Sequence, residues 1–258
     1  MNQVVQLQIA QFALIYLLLL AVLAVMKKCR VNEAKLLVVA SVRMTVQLTL
    51  AGWVLMLLFA HPHPAFTFLY LAVMVGFAIY QVLRKVPGLN RRFQWIVGLS
   101  VAAPGLAVLF FFVRVVVGES IFNPQYVIPI SGMIMGNTMT GAALGLKTFC
   151  DSLAGQRSKL QALLAIGASP QKILFPFVSS ALETALLPTL NSMLGMGIVS
   201  LPGMMTGQIL SGTLPTTAIL YQIAIMVAIC AVVCLSCFGA LFFGYRTLYN
   251  DRNQIILL

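Results

Sequence analysis

The sequence predicts an all-α, polytopic membrane protein of about seven transmembrane helices, built as one domain over residues 1–258. Three observations lead there. First, 61% of the 258 residues are apolar and 8% are charged, whereas a soluble domain is roughly 45–50% apolar and about 25% charged. Second, the apolar residues come in runs of about 20, the length that crosses roughly 30 Å of hydrocarbon. Third, the basic residues gather in alternate short loops. A water-soluble fold of this length leaves about a quarter of its surface exposed and has too few polar residues here to cover it. This excludes a secreted disulfide scaffold, a disordered chain and a soluble nucleic-acid binder, although the net charge is +11.

The predicted spans are residues 7–26, 36–60, 66–83, 93–117, 126–146, 173–201 (long and interrupted) and 216–245. Lys27, Lys28, Arg30 and Lys35 lie between the first and second spans, and Arg84, Lys85, Arg91 and Arg92 between the third and fourth. Lys147, Arg157, Lys159 and Lys172 lie between the fifth and sixth, and Arg246 and Arg252 follow the seventh. These loops share one side, which the positive-inside rule makes cytoplasmic. The opposite loops, His61-Pro-His-Pro64, residues 118–124 and residues 201–215, carry no Lys or Arg. The expected orientation is N-terminus outside and C-terminus cytoplasmic. Residues 1–11 contain no basic residue, so the first span lacks the positive leading region of a signal peptide and is expected to be retained.

Pro87-Gly88 marks the loop after the third span as a simple reversal. The connection over 147–172 is different: long, mixed and helical in character. Asp151, Gln156, Arg157, Lys159 and Gln161 supply a polar face; Leu153, Leu160, Leu163, Leu164 and Ile166 supply an apolar one. At Gly167-Ala-Ser-Pro170 the pattern stops. Gly ends the first helix, Ser169 is placed to cap the next and Pro170 suits its first turn. The expected object is a cytoplasmic helix, a sharp reversal with small residues at its tip, and a new helix entering the membrane.

Three stretches within the spans carry unusual residues. The fifth span holds two GxxxG pairs, Gly132/Gly136 and Gly141/Gly145, which permit close helix contact. It also holds Asn137, Thr138 and Thr140 at mid-membrane with Met133, Met135 and Met139 around them. These residues suit a pathway or a dimer axis, and helix packing explains them as well. The sixth span contains Glu183, an intramembrane acid and hence a functional-site candidate that should face the protein interior. Arg43, with Gln47 one turn on, is its expected partner; an ion pair that merely staples two helices is the other reading. Arg114 is placed to snorkel. After Asn191, Pro202-Gly203 must break or end a helix, and Gly203/Gly207 reads as another close-packing pair. Such a break suits a half-helix hairpin in protein or beside a water-filled cavity. Thr206 lies within it, and Met204 and Met205 offer thioethers to a soft cation or act as flexible packing. Met139, Glu183, Met204 and Met205 are the candidate metal ligands.

No catalytic constellation is present. Gly141-Ala-Ala-Leu-Gly-Leu-Lys-Thr148 approaches a phosphate-binding loop, but Leu146 separates the Gly-Lys pair and the segment ends an apolar span. The chain is therefore expected to be no enzyme and to bind no cofactor. Cys29 and Cys150 fall on the reducing side. Cys230, Cys234 and Cys237 share a helix face, as apolar packing or as soft-metal ligands. His61 and His63 read as solvated loop residues.

The stretch from Gln161 to Pro176 resembles the cytoplasmic coupling loop of ATP-binding-cassette permeases, although that pattern often begins with Glu. The resemblance implies that Leu164, Ala165, Gly167, Ala168, Ser169 and Pro170 dock into an ATPase subunit. Gly136-Asn-Thr-Met-Thr140, Gly167-Ala-Ser-Pro170 and Ser200-Leu-Pro-Gly-Met-Met-Thr-Gly207 resemble the bacterial FetB (YbbM) family over nearly the whole chain. Plant aluminium-tolerance permeases resemble it too. The resemblance implies a permease subunit of an iron-linked exporter in the bacterial inner membrane, with a role in metal homeostasis and oxidative-stress resistance. It implies a separate FetA-like ATPase that holds ATP and Mg, and a complex of two permeases with two ATPases. The pathway would involve Arg43, Gln47, Met135, Gly136, Asn137, Met139, Thr140, Glu183, Asn191 and residues Pro202, Gly203, Met204, Met205, Thr206 and Gly207. A non-metal cargo such as a nucleotide sugar, a passive channel, and a scaffold that recruits a cytoplasmic partner are the competing expectations.

Overall fold

The computed structural model describes residues 9–61 and 63–249. Pro62, Arg252 and the start of the first predicted span fall outside them. The described chain is helical: α1 (Ile9–Lys28), α2 (Ala34–Ala60), α3 (Pro64–Lys85), α4 (Arg91–Phe111), α5 (Pro124–Gly155), α6 (Arg157–Ala165), α7 (Pro170–Gly195), α8 (Gly203–Leu210) and α9 (Pro215–Gly244). A π turn, Phe112–Val117, prolongs α4 and carries the exposed Arg114; a 3-10 turn, Tyr245–Leu248, prolongs α9. Helices α2, α3, α4 with its π turn, α5, α7 and α9 are long and apolar enough to cross a membrane. Helix α1, with 20 residues, covers the first predicted span. The chain is a multi-pass all-α membrane protein.

The helix starts follow from sequence. Pro64, Pro124, Pro170 and Pro215 open α3, α5, α7 and α9, where the missing N–H would find no intrahelical partner anyway. Asn90 caps α4, its Oδ1 accepting from the Phe93 N–H at 2.7 Å. His63 caps α3, Nδ1 accepting from the Ala65 N–H at 3.3 Å. That gives this loop histidine a local structural use.

Two compact units are present. The first holds α1 and α2 with residues 210–212. There the Tyr16 hydroxyl pairs with Thr45, while Ser41, Thr45 and Thr49 each donate to the carbonyl four residues earlier. Internal satisfaction of this kind is what a hydrocarbon surrounding demands.

The second unit holds the remaining elements. Helix α5 is its centre, packed on α3, α4, α7 and α9, and α4 lies along α9. Phe93, Val97 and Val101 of α4, Leu146 and Phe149 of α5, and Val233 and Leu241 of α9 are buried in one cluster. Gly141 and Gly145 set the helix spacing. A Cβ on Gly141 would stand 2.6 Å from Val233 Cγ1, and one on Gly145 3.0 Å from Ala185 Cβ. Van der Waals contact needs about 3.5–4.0 Å between carbons, so a side chain at either position requires its neighbours to move. Asn90 ties the two ends of the α4–α9 pair: its Nδ2 donates to the Thr247 carbonyl at 3.1 Å.

Candidate functional site

The first candidate region is the hairpin between α5 and α7. Helix α5 has 32 residues, about 48 Å at 1.5 Å per residue, against a hydrocarbon thickness of about 30 Å. It therefore runs well past the predicted span end at 146. The expected single helix up to Gly167 is in fact two pieces: α5 ends at Gly155 and α6 restarts at Arg157. Gly155-Gln156 supplies the break, because Gly is a weak helix former.

Helix α6 ends as its sequence demands. Gly167 adopts φ +82°, its N–H donates to the Leu164 carbonyl at 3.0 Å, and the Ala168 N–H donates to Leu163 at 3.1 Å. This pair of bonds is a Schellman motif, which satisfies orphan carbonyls at the helix end. Ser169 occupies the cap position of α7, but its side chain makes no cap bond. Leu160 and Pro170 are buried, Leu163, Leu164 and Ala168 are half-buried, and Ala165, Gly167 and Ser169 are exposed. Ile166 departs from expectation. Rather than joining the packed apolar face, it stands 79% exposed at the tip, because the reversal begins at that residue. Its side chain is thus left free to contact a partner rather than its own chain. The sequence signal for it was its place immediately before the glycine.

The second region is polar and lies on the spans. Asn137 and Thr140 are exposed on α5 and donate to their own helix, at Met133 and Gly136. Thr138 is buried and bonds Ile134. Gly136 is exposed with open space at its Cβ position, unlike Gly141 and Gly145. Met135 is buried against Gly105, where a Cβ would stand 2.5 Å from Met135 Cε; Met139 packs on the hydrophobic cluster. Both lie off the exposed face.

On α7, Ser179, Ser180, Glu183 and Asn191 are exposed. Among the described residues of its unit, Glu183 makes no hydrogen bond or ion pair. It lies near the middle of α7, about 20 Å from Pro170 at 1.5 Å per residue. The contacts of Gly141 and Gly145 with Ala185 and Ala181 set the antiparallel register of α5 and α7. By that register Thr140 lies about 4–5 Å along the axes from the level of Glu183, and Asn137 about 9 Å. Pro176 and Pro188 bracket Glu183 inside the helix. Pro188 has no N–H to give the Thr184 carbonyl, so the helix can bend beside the acid. In the first unit, Arg43 and Gln47 lie exposed on one face of α2.

The third region is the interruption after α7. The chain leaves the helix at Gly195, turns through Gly197 at φ +81° with a bridge from Met196 to Ser200, and re-enters a helix at Gly203. Helix α8 has eight residues, about 12 Å, too short to span. Thr206 fastens its start by donating to the Pro202 carbonyl at 3.0 Å. The expected close packing at Gly203/Gly207 is absent: both are exposed, with nothing within 4 Å of either Cβ position. Spacing alone put them on one face, and that face has no helix against it among the described residues. Met204 packs on the hydrophobic cluster, while Met205 and Pro202 line a cavity. On α9, Cys237 is in the core and Cys230 and Cys234 are half-buried. Among the described residues no three His, Cys, Asp or Glu side chains gather as a metal site.

The profile of the uncharacterised protein family UPF0014 matches residues 9–249. The chain is 29% identical to the UPF0014 membrane protein YjkA of Bacillus subtilis over 94% of this chain and 96% of that one. It is 31% identical to a protein of Escherichia coli named "Probable iron export permease protein FetB", over 83% of this chain and 82% of that one. To the Arabidopsis thaliana protein named ALUMINUM SENSITIVE 3 it is 34% identical, over 71% and 66%. No solved structure matches.

Proposed function

Because the chain belongs to the UPF0014 family of membrane proteins, we propose that it is the permease subunit of an ATP-driven exporter whose cargo is iron or another metal. The single observation that carries this reading is Glu183. A carboxylate exposed at mid-span with no partner in its unit is costly in lipid, so this surface belongs against a water-filled path or further protein. The printed name of the FetB relative supplies the metal. In this reading the basic loops are cytoplasmic, and the Ile166–Gly167 tip seats in an ATP-binding subunit that holds ATP and Mg. Two permeases assemble with two such subunits, and the exposed faces of α5 and α7 line the path.

The mechanism uses rigid parts. The Schellman turn and the buried Leu160, Pro170, Ile173 and Leu174 fix the tip to the start of α7. Closure of the ATPase pair on ATP moves the tips, and α7 carries that movement to Glu183. The prolines at 176 and 188 localise bending on either side of the acid. Cation release is favoured when the bend changes the cover over the carboxylate.

The test is ATP hydrolysis by the chain reconstituted in liposomes with its candidate ATPase, with and without Fe(II), beside a Gly167→Arg variant. Iron-stimulated hydrolysis that is lost in the variant is the expected result. Hydrolysis indifferent to both iron and the variant overturns the reading.

A further inference from the structure

We propose that the cavity beneath α8 is a thioether site for a soft monovalent cation of the Cu(I) or Ag(I) class. It is an open-sided cavity lined by the end of α7, the turn after it, α8 and the first half of α9, and has a volume of about 440 Å³. Met193, Met196, Met205 and Met226 line it, together with Gln222 and Pro202. The methionines come from three segments, the end of α7 with its cap, α8 and α9, so the fold brings them to one cavity.

Gln222 is the second observation. It is 8% exposed, and its Nε2 donates toward Met196 Sδ at 3.9 Å. That contact fixes the amide and leaves its Oε1 buried without a hydrogen-bond partner. An orphaned buried carbonyl oxygen costs about 1–3 kcal/mol, and a bound cation or donor removes that cost. Gln222 and Met226 are one turn apart on α9, so they face the same space.

The donor set selects the ion. Thioethers are soft neutral ligands that favour Cu(I) over hard divalent cations. No carboxylate, imidazole or thiol lines the cavity, so a divalent ion would sit there with its charge uncompensated in an apolar wall. A single positive charge on a polarizable d10 ion suits neutral sulfur ligands, and the Gln222 amide dipole adds electrostatic stabilisation of that charge rather than a soft ligand. The site does not depend on the proposed cargo or on the partner ATPase.

The test is Cu(I) titration of the purified full chain in lipid nanodiscs against a chromophoric Cu(I) chelator. The comparison is a Met196→Leu/Met205→Leu double variant and a separate Gln222→Leu variant. Leu for Met conserves volume and apolarity, so melting temperature and any purely apolar occupancy are preserved. One Cu(I) equivalent is expected to disappear, or its affinity to fall more than tenfold, in the double variant at unchanged melting temperature. A smaller loss is expected for Gln222→Leu. Full Cu(I) binding by the double variant overturns the proposal and places the bound copper elsewhere in the chain, where the five free cysteines are the alternative ligands. Absence of Cu(I) binding by the natural chain overturns it as well.

Discussion

Replacing Ile166 by Ala tests the docking tip with little effect on the chain itself. The substitution removes three side-chain carbons, each worth about 0.8 kcal/mol on burial, or about 2.4 kcal/mol in full. Ile166 is 79% exposed in the chain, so roughly four-fifths of that, about 1.9 kcal/mol, remains to be gained from a partner. At 1.4 kcal/mol per tenfold, the permease–ATPase Kd should rise about 20-fold. The assay is titration of the ATPase subunit onto permease nanodiscs, read as binding and as half-saturation of ATP hydrolysis. Melting temperature serves as the control and should not move, because the side chain contacts little of its own chain. A Kd within twofold of the natural chain would refute the docking role. A drop of several degrees in melting temperature at unchanged Kd would show that the side chain serves the fold instead.

Three further substitutions follow from the helix packing and the exposed acid. Gly145→Ala forces a carbon to 3.0 Å from Ala185 Cβ; overpacking of about 1–3 kcal/mol outweighs a helix gain of roughly 0.5–1 kcal/mol, so the melting temperature falls. Gly136→Ala meets open space and keeps only the gain, so its melting temperature rises, and equal shifts at the two sites would contradict the packing argument. Glu183→Gln is expected to abolish iron-stimulated ATP hydrolysis while the thermal midpoint holds or rises, since a neutral amide is less costly at mid-span than a carboxylate. Retained stimulation would remove Glu183 from the path.

The spans were legible because continuous apolar runs bounded by Lys and Arg need no partner to be recognised. Pro64, Pro124, Pro170 and Pro215 marked their helix starts for a local steric reason. The Gly167 turn was legible for the same kind of reason. What depended on a neighbour was not. Gly141/Gly145 and Gly203/Gly207 have the same spacing, yet only the first pair has a helix against it. Met135 is likewise buried, and Met139 only half-buried, because Gly105 of α4 lies against the first. Helix α5 overran its predicted span because hydropathy reports the membrane boundary, while the helix continues into water until Gly155. The cavity beneath α8 was invisible in the sequence, since Gln222 and Met226 lie on α9 and read there as ordinary span residues.

The pairing of α4 with α9 also governs the order in which the chain can be assembled. Roughly a hundred residues separate the end of α4 from the start of α9, about 5–20 s of translation at 5–20 residues per second. Throughout that interval Phe93, Val97 and Val101 have no α9 to bury them, and Asn90 waits for Thr247. The nascent protein can already pack α5 on α3, α4 and α7, but the face of α4 that belongs to α9 stays uncovered. A ribosome stalled before α9 leaves a product that is membrane-inserted but cannot close its core.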